Sequence, residues 1–372
     1  MIYPISQVKA YLTIYQGLRD DCPFSSPLEY ARQAGCVQYD PLDQVGNNPD
    51  LVFQARIPGY RKGDVNKALY QERTLIDAWD KNMAICPVED WPYLGRFHKC
   101  PPQWGNHADD NDRKVIFSYL EDHPFVCSSD LDLPQSRRAL EFLFSTGELA
   151  VHHRDGTRRY LCLPESIIDS SILAMEDPNK TEEDFWSWYV YRRISSVGCL
   201  SPGPSDAYLG YYGPRANMTD SAFRRLEEEG RIVSIPSEAR GKPLYIPSSA
   251  LALLDSAAPA SEAQVRFLGP LDNLLWDRKL IAQVFSFQYT WEVYVPQSQR
   301  KYGYYVLPVL YKDDMIGRIE FSYDKKEGKL SVANLWLEEG FRRDKDFNGA
   351  YRSALRRFAA YLKPRQGKGF GK

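Results

Sequence analysis

Two stretches of the chain carry the same order of apolar and polar positions. Residues 134–164 start at Pro134 and show a helical apolar pattern at Ala139, Leu140, Phe142, Leu143 and Phe144, followed by Gly147-Glu148-Leu149-Ala150-Val151. A polar turn around Gly156 leads into Arg159-Tyr160-Leu161-Cys162-Leu163-Pro164. Residues 219–247 repeat this order, with Thr219 as a helix cap and Ala222, Phe223 and Leu226 in the helix. Then come Gly230-Arg231-Ile232-Val233, a turn at Gly241, and Leu244-Tyr245-Ile246-Pro247. Glycine and proline lie 17 residues apart in both copies, 147 to 164 and 230 to 247. Glycine suits a left-handed helix end, while proline or threonine suits a helix start. Two short apolar runs around a glycine turn predict a hairpin.

Helical patterns precede each copy, over 112–122 before the first and over 181–197 and 205–212 before the second. Helices, a capped helix and a hairpin make the winged helix-turn-helix layout. A less regular third copy spans residues 1–95, with helical stretches near 5–19, 27–34 and 64–71 before an extended run at Leu75–Cys86. An Ala- and Ser-rich stretch, 248–263, reads as a linker or a frayed helix. Strands are predicted at Trp291–Val295, Tyr304–Tyr311, Ile316–Tyr323 and Lys329–Leu337, forming a small antiparallel sheet or barrel. The predicted fold class is therefore α+β: three tandem winged helix-turn-helix units, a small antiparallel β-barrel domain and a basic C-terminal helix. The expected boundaries are 1–108, 109–178, 179–262 and 263–372.

Composition narrows the class. An aromatic content of 13% over 372 residues is the opposite of a disordered composition. No stretch approaches the roughly 18 apolar residues of a membrane helix, and the N-terminus has no export-signal pattern. No membrane partner is expected, and the expected compartment is the cytoplasm, in association with the nucleoid. Seven dispersed cysteines with no C-x-x-C pair predict neither a disulfide framework nor a closed zinc site. The group His98, Cys100, His107 and Cys86 matches no common zinc spacing, so no metal is expected there.

The net charge of −2 conceals an asymmetry. Residues 341–372 hold ten basic and two acidic residues, a local +8, which leaves the other 340 residues at −10. In this segment Tyr351, Ala354, Leu355, Phe358, Ala359 and Leu362 keep helical spacing, with Arg352 and Arg356 on another face. The first repeat carries Arg137 and Arg138 on its helix and His152, His153, Arg154, Arg158 and Arg159 on its wing. These nine residues are the candidate DNA contacts, because cations on a recognition helix and wing meet phosphates. A protein-binding winged helix and a docked terminal helix with a solvated face remain open alternatives.

The segment Gly35-Cys36-Val37-Gln38-Tyr39-Asp40-Pro41-Leu42-Asp43 carries the candidate chemistry. Pro41 drives Asp40 out of the α region, so Val37–Asp40 should be extended. Alternation then puts Gln38 and Asp40 on one face and Val37 and Tyr39 on the other. An adjacent amide and carboxylate can hold and polarise a water molecule. Taken alone, the same residues also read as a strand ending in an Asp-Pro turn. The chain shows no nucleophile elbow, phosphate loop, metalloprotease helix or complete dinucleotide fingerprint.

Gln38-Tyr39-Asp40-Pro41-Leu42-Asp43 with Asn48-Pro49-Asp50-Leu51 resembles the catalytic segment of the YcaQ-type crosslink-repair DNA glycosylases of the AlkZ superfamily. The resemblance continues through Trp79–Ala84, Pro87–Trp91, Gly147-Glu148-Leu149, Leu268–Arg278, Glu292–Pro296 and Arg300–Leu310, nearly the whole chain. It implies three tandem winged helices and a β-barrel around a DNA channel. The implied activity is hydrolysis of the N-glycosidic bond of N7-alkylated purines and unhooking of interstrand crosslinks in base excision repair. Carried onto this sequence, Gln38 and Asp40 are the catalytic pair, and no cofactor is required. Aspartate at position 40 resembles the broader YcaQ branch rather than the self-resistance branch, which has glutamine there. The expected substrate is double-stranded DNA carrying alkylated or crosslinked purines, and the protein is expected to act as a monomer. An open cleft, with Trp79, Trp91, Trp104 or Trp276 near the lesion, would suit bulky adducts. The alternative reading is a non-catalytic winged-helix transcriptional regulator in which Gln38 and Asp40 are structural.

Overall fold

The computed structural model describes residues 2–100, 107–208, 216–239 and 241–363. Helix α1 (Ile5–Tyr15) is followed by α2 (Pro27–Ala34), whose start is fixed by Ser26 accepting the Glu29 N–H and by Pro27 in the first turn. At Gly35 the backbone turns with φ +76°, and a Cβ there would lie 2.8 Å from the Arg192 side chain. Glycine lets the chain pass this arginine and enter β1 (Val37–Gln38). Helices α3 (Asn48–Gln54) and α4 (Val65–Tyr70) lead to β2 (Leu75–Asp80) and β3 (Asn82–Pro87). These strands form an antiparallel sheet in the order β1-β3-β2. The extended run predicted over Leu75–Cys86 is thus a hairpin turning at Lys81, with Asn82 at φ +54°.

Next come α5 (Gly95–Lys99), α6 (Asp110–Asp122), α7 (Ser136–Ser145) and the hairpin β4 (Ala150–Asp155) with β5 (Arg158–Cys162). After α8 (Ser170–Leu173), α9 (Glu182–Val197) and α10 (Ala216–Glu228), strands β6 (Ile232–Ile235) and β7 (Leu244–Pro247) form the second hairpin. The repeat found in the sequence is therefore a helix-then-hairpin repeat, with Gly147 and Gly230 at φ +75° and +67°. Thr219 does not cap its helix. It is buried inside α10, which starts three residues earlier at Ala216. The helix expected over 205–212 is a turn through Tyr208, and its last four residues lie outside the described ones, as do Trp104 and the 364–372 tail.

The C-terminal part contains α11 (Leu251–Ser256), β8 (Val265–Phe267), α12 (Arg278–Phe285), β9 (Val306–Tyr311), β10 (Asp314–Asp324), β11 (Lys329–Leu337) and α13 (Lys345–Tyr361). The former linker candidate thus includes a helix. The four strands form an antiparallel sheet in the order β11-β10-β9-β8, curled into a half-barrel, where a small antiparallel sheet or barrel is expected. The predicted strand Trp291–Val295 is also absent, and Glu292–Tyr294 makes a tight helical turn. The Glu292 carboxylate accepts the N–H groups of Lys301, Tyr302 and Gly303 at 3.0, 2.9 and 3.1 Å, which folds the chain back here. Helix α13 packs by Phe347, Ala354, Phe358 and Tyr361, and Phe358 stacks on Phe321 of β10.

Strand β1 lies where two cores meet. Val37 packs in a cluster with Leu51, Phe53, Phe267, Leu307 and Phe358. Cys36 and Ala84 belong to another, filled by α1, α9, α10 and α12. The segment 36–40 is therefore held both by near elements and by ones more than 140 residues away in sequence. No helix among the described residues is long and apolar enough to cross a membrane.

Candidate active site

Strand β1 pairs with β3 along one edge only, Val37 opposite Ile85 and Gln38 opposite Ala84. The ladder is prolonged by the Tyr39 N–H, which donates to the Met83 carbonyl at 2.8 Å. On the other edge two asparagines replace a strand. Asn273 Nδ2 donates to the Cys36 carbonyl at 2.9 Å, and Asn48 Nδ2 donates to the Gln38 carbonyl at 2.8 Å. Asn48 Oδ1 in turn accepts the Leu271 N–H at 3.1 Å. A Cβ at Gly269 would come within 2.7 Å of Asn48 Oδ1, so the 268–278 segment can approach this closely only with glycine there. The neighbouring Asp272 makes a fully buried ion pair with Arg56, at 2.7 Å. The segment Leu268–Arg278 is the bracket that fixes the edge of β1.

Pairing sorts the side chains by face. Gln38 shares its face with Ala84 and Ala78, whereas Val37 shares the other with Ile85 and Asp77. Gln38 is buried, yet among the described residues its side-chain amide has no hydrogen-bond partner. A buried amide normally finds one, so this one is free for a water or substrate atom. Asp40 is half-buried, and its Oδ1 accepts the Leu42 N–H at 2.9 Å. Burial holds the Asp40 carboxyl above the ordinary aspartate range, with the Leu42 hydrogen bond opposing it. The Asp40 charge also reaches two phenols, those of Tyr294 and Tyr305, whose pKa values are raised by burial first and by Asp40 next.

Tyr294 and Tyr305 differ sharply in setting. Tyr305 is buried, while Tyr294 is 81% exposed. Trp291 packs against both, with ring centroids at 5.8 Å from Tyr294 and 6.1 Å from Tyr305. The turn that Glu292 clamps thus presents an aromatic ring to solvent. Sequence reasoning assigned this stretch to a strand and overlooked Tyr294, although Glu292-Val293-Tyr294 was within a family-like segment.

The opposite face carries the wing of the first repeat. Arg154 of β4 lies 4.0 Å from the Tyr39 ring centroid and pairs with buried Asp77 at 2.7 Å. Tyr39, Pro41, Met83, Arg137, Arg154, Arg158 and Arg159 line a cleft of about 350 Å³. The structure therefore brings four of the nine candidate DNA contacts to the cleft that Tyr39 and Pro41 line. Their availability differs: Arg137 and Arg158 are exposed, while Arg154 is paired with Asp77 and Arg159 with Glu141.

The remaining candidates lie elsewhere. Arg138 is exposed and bonds Gln135 Oε1 at 3.0 Å. His152 and His153 face each other with 2.8 Å between their Nδ1 atoms. His153 stacks on Tyr160, and burial pushes the His152 pKa down to about 4. Arg352 and Arg356 are exposed on α13 and line neither the cleft nor the Asp40 surroundings. Of the tryptophans, Trp79 and Trp276 are buried, and Trp91 packs on His98 with centroids 5.0 Å apart. His98, once a metal candidate, lies under Gly147, where a Cβ would sit 2.5 Å from its ring.

Residues 31–361 match the model of a family described as DNA glycosylase AlkZ-like, a span from α2 to the end of α13. In fold the chain is similar to the Streptomyces sahachiroi DNA glycosylase AlkZ, with 15% identity, a TM-score of 0.67 and 97% of each chain covered.

Proposed function

The chain belongs to the AlkZ-like DNA glycosylase family, and from that premise we propose that it hydrolyses the N-glycosidic bond of N7-alkylated purines in double-stranded DNA and unhooks interstrand crosslinks. In this reading the three helix-and-sheet units are winged helices, the enzyme is a monofunctional monomer, and no cofactor takes part. The observation that carries the proposal is a half-buried carboxylate, Asp40, two residues from the unengaged buried amide of Gln38.

The chemistry suits so sparse a site. An N7-alkylated guanine is cationic and leaves without a general acid. What remains is an oxocarbenium-like sugar and a water to capture it. Asp40 stabilises the developing positive charge and takes the proton of the attacking water, and Gln38 orients that water. Tyr39, turned to the opposite face under Arg154, packs rather than reacts. Arg137 and Arg158 on the cleft wall meet the DNA phosphates, with Arg138, His152, His153, Arg352 and Arg356 as more distant contacts.

Purified protein should release 7-methylguanine from methylated DNA and unhook a nitrogen-mustard crosslink. Asp40→Asn should lower release by roughly a hundredfold or more while DNA binding persists. Undiminished release in that variant would reject the assignment. Binding to a single undamaged operator with no base release would favour the regulator reading instead.

A further inference from the structure

Strand β8 carries one cation between two core residues. Val265 and Phe267 are buried in the core, so Arg266 turns to the other face of the strand. There its Nε donates to the Ala55 carbonyl at 2.8 Å and its Nη2 to Asp20 Oδ1 at 2.6 Å. Only 11% of the Arg266 side chain is exposed, and its buried Nη1 has no hydrogen-bond partner among the described residues. Arg357 of α13 approaches the same carboxylate, with Nη1 3.9 Å from Asp20 Oδ2. Its Nη2 donates to the Val265 carbonyl at 3.0 Å. Two guanidiniums therefore flank a single acid.

Both arginines line a cavity of about 210 Å³ between the 54–61 segment, β8 and the end of α13. A third, Arg61, lines it as well and donates from Nη1 to the Ala360 carbonyl. Arg56 borders the same space, but Asp272 neutralises it. Among the described residues Asp20 is the one carboxylate on the cavity wall, so three further guanidiniums outnumber it. The two phenols there are engaged, Tyr60 with Asp50 and Tyr361 with the Val45 carbonyl. Burial, and after it the like charge of Arg266, hold the Arg357 pKa below its ordinary value, against a smaller pull from Asp20. A desolvated guanidinium with an idle N–H group is costly unless an acceptor meets it.

We propose that this cavity binds one phosphate group between Arg266 Nη1 and the guanidiniums of Arg357 and Arg61. Its volume falls below the roughly 300–1,000 Å³ of pockets that hold whole small molecules, so it suits a single tetrahedral oxyanion better than a nucleotide. Guanidinium forks offer paired N–H donors at the spacing of phosphate oxygens. Asp20 and Arg357 are exposed at the mouth, so the phosphate can be a free ion or a diester of a DNA strand crossing the opening. Asp20 holds the Arg266 fork in place and also repels the ligand, which limits affinity. Neither Gln38 nor Asp40 lines this cavity, and the site stands whether or not they hydrolyse a glycosidic bond.

The test reads the urea midpoint of the full chain against inorganic phosphate, with ionic strength held by chloride. Wild type should gain stability saturably as phosphate replaces chloride. Arg357→Gln and Arg266→Gln should each raise the phosphate concentration of half-effect by roughly tenfold. Arg357 is exposed, so its variant keeps the test readable if Arg266→Gln folds poorly. Asp20→Asn should lower the half-effect concentration severalfold, because the competing charge is gone. The salt dependence of binding to a DNA duplex separates the two sources. A slope reduced by about one contact in Arg357→Gln assigns the phosphate to DNA. An unchanged slope with the phosphate response weakened in that variant assigns it to a free ion. An unchanged slope would overturn the site if wild type responds to phosphate no more than to chloride, or if wild type and both arginine variants respond equally.

Discussion

The Arg154 guanidinium lies 4.0 Å from the centroid of the Tyr39 ring, so the wing of one helix–hairpin unit touches the residue between the two catalytic candidates of another. The same guanidinium neutralises Asp77, whose side chain is 1% exposed. The arginine is therefore a strut between wing and active strand before it is a DNA contact.

Removing that strut leaves Asp77 buried and unpaired. Arg154→Ala should cost about 3–5 kcal/mol in denaturant unfolding, and the added change Asp77→Asn should recover much of it. A loss below about 1 kcal/mol would show that Arg154 is a surface cation despite its contacts.

Tyr294 should behave in the opposite way. With 81% of its surface exposed, Tyr294→Ala should change stability by less than about 0.5 kcal/mol. Base release should fall roughly tenfold, as expected for the loss of one aromatic stacked on a base, and Tyr294→Trp should restore it. Equal rates in the alanine variant and wild type would leave Tyr294 without a part in the reaction.

The rate of base release should carry the titration of Asp40. Burial raises its carboxyl pKa, and the reactive form is the carboxylate. Release from a pre-alkylated duplex should thus fall as pH drops through a value above that of an ordinary aspartate. Measured under single turnover, a low-pH limb at or below the ordinary aspartate range would contradict the desolvated setting of Asp40.

A second carboxylate predicts a stability profile. Asp50 is buried, its Oδ1 accepts Tyr60 Oη–H at 2.6 Å and the Gly63 N–H at 2.8 Å, and burial pushes its pKa up to about 6. Its folded pKa lies above the unfolded value near 3.8, so the native state holds the proton more tightly between these two values. Stability should therefore fall as pH rises from about 4 to about 6, by roughly 3 kcal/mol from this group, and level off above. Asp50→Asn should remove that slope in urea unfolding measured across the window. A slope unchanged by the substitution would place its origin in other groups.

Much of this layout was legible because its causes are local. Helix α2 begins and ends at the residues predicted, since Ser26 and Pro27 set its start and Gly35 its end. The two hairpins follow from glycine placement and strand-forming residues, and the start of the extended run at Val37–Gln38 follows from the strand pattern before Pro41. Reading failed where a distant group overruled a local pattern. Trp291–Val295 alternates like a strand, but the Glu292 carboxylate captures three N–H groups nine to eleven residues ahead and winds the chain into a turn. Thr219 has the chemistry of a cap, yet the helix extends past it and buries it.

The sequence by itself determined the helix–hairpin repeat, the extended run that carries Val37 and Gln38, and the charge asymmetry, because periodicity, turn residues and composition act over a few neighbours. Only the tertiary structure decided that Asn48 and Asn273 hold the free edge of β1, and that Arg154 braces Tyr39. Those relationships depend on which faces are buried together. Burial makes an unpaired amide, carboxylate or cation costly, so which buried polar groups find partners is settled by the elements that pack around them.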